Sequence, residues 1–224
     1  MPEHIHNAET AAPNAGTATD AETAAPNAGS APDRPSGTRT ADLPGAGRIV
    51  YRTLSAEELT PALFGSFVRT QNVTKVWRKR NGAWVIEDDP FVDDWTPADY
   101  EFLCTCLRNT VAGNGLVLGA FSDDGLKGFA SVEGEALGSR SQYRDLTSLH
   151  VSQDARRHGI GRALFKAACE FAAANGGEKL YISSHSAVET QDFYRAMGCI
   201  EAEEYSAAHV EQEPFDCQLE RALG

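Results

Sequence analysis

No stretch of this 224-residue chain approaches the roughly 18 consecutive apolar residues needed to span a bilayer. The N-terminus is too polar for a signal peptide and lacks the Arg-rich helix of a transit peptide. A cytoplasmic protein with no membrane partner is therefore expected. Cysteine is scarce: Cys104, Cys106, Cys169, Cys199 and Cys217 are scattered and odd in number. That fits a reducing compartment better than a disulfide frame. Cys104-Thr105-Cys106 is not zinc spacing, no Cys/His pair follows it, and His4 and His6 read as solvated, so no metal site is expected. Positive charge is also short, with 20 Lys and Arg against 32 Asp and Glu, a net charge of −12. No nucleic-acid partner is expected. Two phosphate loops are missing as well: there is no G-x-x-x-x-G-K-[ST] and no G-x-G-x-x-G.

What is present falls into two parts. The segment Ala8 to Gly16 (AETAAPNAG) recurs word for word at Ala21 to Gly29. To about Pro44 the chain is mostly Ala, Thr, Pro, Gly, Asn and Asp. Ordering it would cost about 1–2 kcal/mol per residue in backbone entropy, with almost no large apolar side chain to offset that. Residues 1–46 are expected to be a disordered tail, and residues 47–224 a single folded domain.

The folded part opens with a short strand, Arg48 to Thr53. Ser55 and Glu58 have capping-box spacing, and Leu59, Leu63 and Phe67 recur at helical intervals, so a helix is expected there. Asn81-Gly82 joins two strands, Val73 to Arg78 and Ala83 to Glu87. Asp88 to Asp94, interrupted by Pro90, reads as an acidic loop. Thr96-Pro97 then starts a helix carrying Tyr100, Leu103, Leu107 and Val111 on one face. Strands follow at Leu116 to Ser122 and Leu126 to Glu133 around an Asp123-Asp124-Gly125 turn, then at Tyr143 to Ser152. A helix to about Phe171, a strand from Lys179 to Ser183, a short helix from Glu189 to Met197, and strands at Cys199 to Tyr205 and Phe215 to Leu223 complete the chain. This order predicts an α/β fold: one mixed sheet with helices on both faces.

The stretch Arg156-Arg157-His158-Gly159-Ile160-Gly161 stands between a strand and a helix. Its glycines free the backbone of Cβ hindrance. Several N–H groups can then converge on one anion, aided by the positive end of the helix. Arginines add forked donors suited to phosphate. The chemistry is that of a pyrophosphate cradle. Since the chain is acidic overall, a local cluster (Arg140, Arg144, Arg156, Arg157, Arg162 and Lys166) must attract the anion.

The spacing R-x-x-G-x-G after L-x-V, with Arg162, Ala163 and Leu164 next, resembles the acetyl-CoA motif of the GNAT N-acetyltransferase superfamily. Phe193-Tyr194-Arg195-Ala196-Met197-Gly198 resembles that family's second signature. The resemblance spans roughly Arg48 to Leu223 and is specific from Leu146 to Cys199. It implies acetyl-CoA as co-substrate and a sheet whose central parallel pair splays to admit the pantetheine arm. It further implies that main-chain N–H groups of Arg157, His158, Gly159, Ile160 and Gly161 hold the pyrophosphate, with Arg156 and Arg162 beside them. Leu149 and Val151 would offer main-chain groups to the acetyl carbonyl and pantetheine. Tyr194 matches the family tyrosine that stabilises the leaving thiolate. Many members carry Asn seven residues before that tyrosine; here the position is Ala187, and His185 or Ser186 is left to make the contact.

N-acetylation needs a neutral amine, so a lysine-like acceptor costs roughly 4–5 kcal/mol to deprotonate at pH 7. Glu133 and His150 are the candidate bases. Strand alternation places His150 on the face opposite Leu149 and Val151. Phenol near pKa 10 giving a proton to a thiolate near 8.5 is uphill by roughly 2 kcal/mol, so Tyr194 is better suited to hydrogen-bonding the sulfur. Trp77, Trp84, Phe91 and Trp95 occur with Asp88, Asp89, Asp93 and Asp94, and Glu211 and Glu213 follow in the last long loop. Aromatic walls with carboxylates suit a cationic amine, with Trp77, Asp93 and Trp95 as acceptor contacts. Three readings stay open: a small-molecule amine acetyltransferase, monomeric or homodimeric; a protein or peptide acetyltransferase; and an acetyl-CoA-binding regulatory module without catalysis.

Overall fold

In the computed structural model, residues 38–45 and 47–224 are described. The repeated segment lies outside them. Ten strands and four α-helices follow in order. They are β1 (Arg39–Leu43), β2 (Gly47–Thr53), β3 (Thr70–Arg80), β4 (Ala83–Asp94), α1 (Pro97–Ala112), β5 (Leu116–Ser122), β6 (Gly125–Leu137) and β7 (Tyr143–Val151). Then come α2 (Ile160–Ala174), β8 (Lys179–Ser184), α3 (Val188–Ala196), β9 (Ile200–Glu201), α4 (Ala207–Gln212) and β10 (Cys217–Ala222). Eight strands form one sheet in the order β1-β2-β5-β6-β7-β8-β10-β9, and β3 pairs with β4 as a separate hairpin. Every pairing in the sheet is antiparallel except β7 with β8.

Alternation along the central strands builds the two faces. Leu116, Leu118 and Ala120 of β5 and Ala130 and Val132 of β6 meet Ile160, Leu164, Ala168 and Phe171 of α2. Val117 and Phe129, from the same strands, turn the other way onto Leu103, Cys104 and Leu107 of α1. This is the period-2 pattern of a sheet covered on both sides. Helix α1 starts where the sequence placed it. Thr96 caps it in a full capping box, its N–H donating to Asp99 Oδ2 at 2.6 Å. Asn81 (φ 50°) and Gly82 (φ 82°) both take left-handed angles, as the β3–β4 turn demands.

Four expectations change. Ser55 N–H does donate to Glu58 Oε2 at 3.0 Å, but no α-helix follows, only a 3₁₀ turn at Pro61–Phe64. Pro61 brings no N–H, and the residue before a proline avoids helical angles; Thr60 is extended. Leu59, Phe64 and Phe67 are nevertheless buried. Asp88 to Asp94 is strand, not loop: β4 continues to Asp94, and the register slips between Val73 and Lys75 opposite Pro90. A two-stranded hairpin with a bulge tolerates a proline that donates no ladder bond. The strand expected over Cys199 to Tyr205 shrinks to Ile200–Glu201, and Ser206 instead caps α4 in what read as loop. Finally, Arg39–Leu43, assigned to the tail, forms the edge strand beside β2, with Arg39 Nη1 2.8 Å from Glu170 of α2.

Candidate active site

Strands β7 and β8 pair only at Tyr143–Lys179, Arg144–Leu180 and Asp145–Tyr181. Beyond Asp145 each keeps its outer neighbour: β7 pairs with β6 as far as Val151, and β8 with β10 as far as Ser184. The register of β6 against β7 also slips between the pairs Ser131–Ser148 and Val132–Leu146. The two strands therefore diverge. A cleft of about 800 Å³ opens between them, lined by both strand ends, the start of α2 and one side of α3.

The cradle forms one end of this cleft. Arg157 (φ 67°) and Gly159 (φ 87°) take left-handed angles, and Gly159 is the N-cap of α2 with no side-chain cap. The first-turn N–H groups thus have no capping side chain to satisfy them. Leu149, Val151, Arg156, Arg157, Gly159, Ile160, Gly161 and Arg162 all line the cleft. Arg156 Nε donates to Val151 O at 3.2 Å, which ties the loop to the strand end. Burial, and then the charge of Arg69, pull the Arg156 guanidinium below its ordinary range. An uncapped helix start flanked by arginines, opening on a gap between strands, fits a pyrophosphate with an extended arm. Acetyl-CoA has that shape.

The side chains of two residues assigned to the cofactor lie elsewhere, although His158 is assigned through its main-chain N–H. His158 packs beneath Gly45, where a Cβ would stand 2.6 Å from its Nε2, and it does not line the cleft. Ser186 is occupied: its carbonyl accepts from Trp77 N–H at 2.8 Å and its hydroxyl accepts from Arg78 Nη1 at 2.5 Å. His185, the other substitute for the missing Asn, does line the cleft, and its Nδ1 accepts from Ala187 N–H at 3.1 Å.

Tyr194 sits in the cleft wall against Phe165 and Phe193. Burial, then Cys199 and Asp216, push its phenol far above the ordinary value. It stays protonated at neutral pH and is a hydrogen-bond donor.

His150 and Glu133 part company. His150 lines the cleft on the α1 face, its ring 4.8 Å from Trp95 and 5.2 Å from Phe129. The alternation read from the sequence is present, with Leu149 packed on the α2 side. Burial, then Arg69 and Arg156, hold the imidazole well below its ordinary pKa. Glu133 does not line the cleft. It accepts from Thr110 Oγ1 at 2.6 Å and Thr147 Oγ1 at 3.1 Å, and burial raises its pKa. It meets the cleft only through Thr147, whose other contact is Ser131 at 2.8 Å.

Asp93 forms a buried ion pair with Arg69, whose guanidinium lies 5.1 Å from the Trp95 ring, and both charges act on Arg156. Asp93, Arg69 and Trp95 line the cleft. Trp77 does not: it is held under Arg195, 4.1 Å from its ring, where α3 meets the hairpin. Beside Glu213, residues the sequence reading did not single out line the cleft where β8 ends. Ser183 Oγ donates to Asp216 Oδ2 at 3.1 Å, and Glu213 stands nearby. Burial and Glu213 push the Asp216 pKa up to about 7. Glu213 was visible as a late-loop carboxylate. Arg69, Ser183 and Asp216 had no local signal, because the docking of the hairpin and the β8–β10 register bring them in.

Among solved structures, the chain resembles a nourseothricin acetyltransferase (TM-score 0.58, 18% identity, covering 79% of this chain and 99% of that one). It also resembles a putative streptothricin acetyltransferase from Bacillus anthracis in complex with acetyl coenzyme A (0.55, 13%, 77% and 95%). A third match is the GNAT domain of S. lividans PAT (0.51, 10%, 83% and 96%). No curated protein sequence matches. Identities this low establish the shared fold. The sequence itself matches the Acetyltransferase (GNAT) family over residues 80–199, more than half of its length, and the chain belongs to that family of acetyl-CoA-dependent acetyltransferases.

Proposed function

We propose that the protein moves the acetyl group of acetyl-CoA to a primary amine of a small cationic molecule, by direct attack within a ternary complex. The observation that carries this reading is the charge layout of one cleft. Arg156, Arg157 and Arg162 line the cleft beside the start of α2, whereas Glu213 and Asp216 line it beside the end of β8; Asp93, also in the lining, is already paired with Arg69. The first suits pyrophosphate and the second an ammonium group. Main-chain N–H groups from Arg157 to Gly161 hold the pyrophosphate. The free edges of β7 near Leu149 and Val151 receive the arm and the acetyl carbonyl. Tyr194 donates a hydrogen bond to the departing sulfur.

Acetyl-CoA titrated in a calorimeter tests the first half. Thiol release over a panel of nourseothricin, spermidine, lysine methyl ester and a lysine-containing peptide tests the second. Binding with release on the small cations supports the proposal. Release on the peptide alone moves the assignment to a protein acetyltransferase. Binding with no release on any amine leaves a regulatory module.

A further inference from the structure

We propose that Asp216 is the group that accepts the proton from the acceptor amine, with Ser183 as its positioning residue. The inference deepens the acetyl-transfer reading and rests on it. Neither candidate read from the sequence fits the task well. Glu133 is locked between two threonine hydroxyls outside the cleft. His150 lines the cleft, but its burial near Arg69 and Arg156 disfavours the imidazolium it would have to become.

Asp216 meets the geometric requirements. It lies immediately before β10, whose first residue, Cys217, pairs with Ser184 at the end of β8. That puts its carboxylate at the diverging ends of the strands, in the same cleft as Tyr194 and within electrostatic reach of that phenol. Ser183 Oγ donates to Oδ2, so one oxygen is fixed, and among the described residues no hydrogen bond to Oδ1 is seen. The groups facing it from neighbouring elements are Glu213 from the turn after α4, His209 of α4 and Arg78 of β3. Tyr194 of α3 and Cys217 on its own strand complete the set. Burial, then Glu213, outweigh Ser183, His209 and Arg78, which leaves the carboxylate titrating near neutral pH. A carboxylate in that range is both ionised enough and basic enough to serve an ammonium substrate.

The step balances. Asp216 takes one proton from R–NH₃⁺, and the freed nitrogen lone pair forms the C–N bond to the thioester carbon. The C–S bond then breaks as the carbonyl re-forms. The second nitrogen proton goes to the thiolate, which Tyr194 hydrogen-bonds meanwhile. Asp216 returns its proton to solvent. Amide, free thiol and one released proton result.

The test is the pH profile of kcat/KM from pH 5.5 to 9.5, with spermidine and nourseothricin as acceptors. In the parent protein the rate should be near half-maximal at about pH 7 and level off roughly one to two pH units above it. Asp216→Asn should lower it roughly 10²–10⁴-fold at pH 7. The remaining rate should climb about tenfold per pH unit across the range, following free amine alone. Acetyl-CoA Kd should stay within about twofold. Ser183→Ala removes a bond to the ionised carboxylate, so its limb should move to higher pH with the plateau largely kept. An Asp216→Asn protein with the parent limb and rate overturns the assignment and leaves acetyl transfer standing. Acetyl-CoA binding without thiol release in the parent protein overturns the transfer reading, and the assignment with it.

Discussion

Gly161 is the sharpest test of the cradle. Its backbone is helical, so a side chain brings no strain of the kind expected at Gly159 (φ 87°). A Cβ built there would meet Phe193 Cε2 at 3.4 Å and Val151 Cγ2 at 3.5 Å, both ordinary contacts. Alanine therefore fits. With Phe193 and Val151 already touching on the protein side, the methyls of a valine are left to project into the cleft. They would screen the N–H groups of the first turn. Each main-chain bond to a charged phosphate contributes about 1.5–3 kcal/mol. Losing two costs about 3–6 kcal/mol, a roughly 10²–10⁴-fold rise in Kd. Helix propensity does not oppose the change, since glycine is the worse helix former. Gly161→Val should thus keep its melting temperature and lose most acetyl-CoA affinity, while Gly161→Ala should lose little of either. Calorimetry and thermal denaturation on the same samples read both. Undiminished acetyl-CoA binding by the valine variant would refute the cradle.

Tyr194→Phe should slow turnover about 10–100-fold, the value of one hydrogen bond to a developing thiolate, with acetyl-CoA Kd nearly unchanged; an unaltered rate removes the phenol from catalysis. Glu201 is held down to a pKa of about 2 by Lys79 and Tyr205, and Trp84 Nε1 also donates to it at 2.9 Å. Its folded-state pKa is depressed, so its stabilising effect is present above the ordinary carboxylate range and is lost as pH falls towards 2. Acid titration of Glu201→Gln, followed by tryptophan fluorescence, should lack that component; identical acid curves would show that this contact does not hold the hairpin. Chains beginning at Gly37 and at Pro44 should differ, because only the second lacks β1. A loss of about 2 kcal/mol at that edge corresponds to roughly 4–8 °C in Tm, and equal melting temperatures would mean the edge strand contributes nothing.

The elements legible in the sequence are those whose signal is local. Thr96-Pro97 specifies a cap and a first helical residue within two positions. Asn81-Gly82 supplies two left-handed angles side by side, and R-x-x-G-x-G carries its chemistry in six residues. Signals that must compete with a neighbour failed. The Ser55 cap forms half its box and is then cut off by Pro61. Pro90 and the acids around it suggested a loop, yet pairing with β3 kept them in a strand. Ser206 and α4 escaped because the helix has six residues and no clear periodicity. The site divides the same way. Cradle residues are consecutive, so one motif located them. The acceptor end is assembled from β3, β4, β8 and the turn before β10, so its membership depends on register, which no local pattern encodes.

The brief parallel pairing of β7 and β8 links stability to metabolism. Among the described residues, three residue pairs are the only ladder joining the five-stranded half of the sheet to the three-stranded half. Past Asp145, the facing edges of both strands look for hydrogen-bond partners across the gap. In the proposed complex a pantetheine arm, with its amide groups, would act there as a surrogate strand. Ligand that binds only the folded state stabilises it by RT ln(1 + [L]/Kd), about 2.7 kcal/mol at a hundredfold excess over Kd. The protein's resistance to unfolding and proteolysis should then track the cell's acetyl-CoA supply, with the molecule most durable when its donor is plentiful.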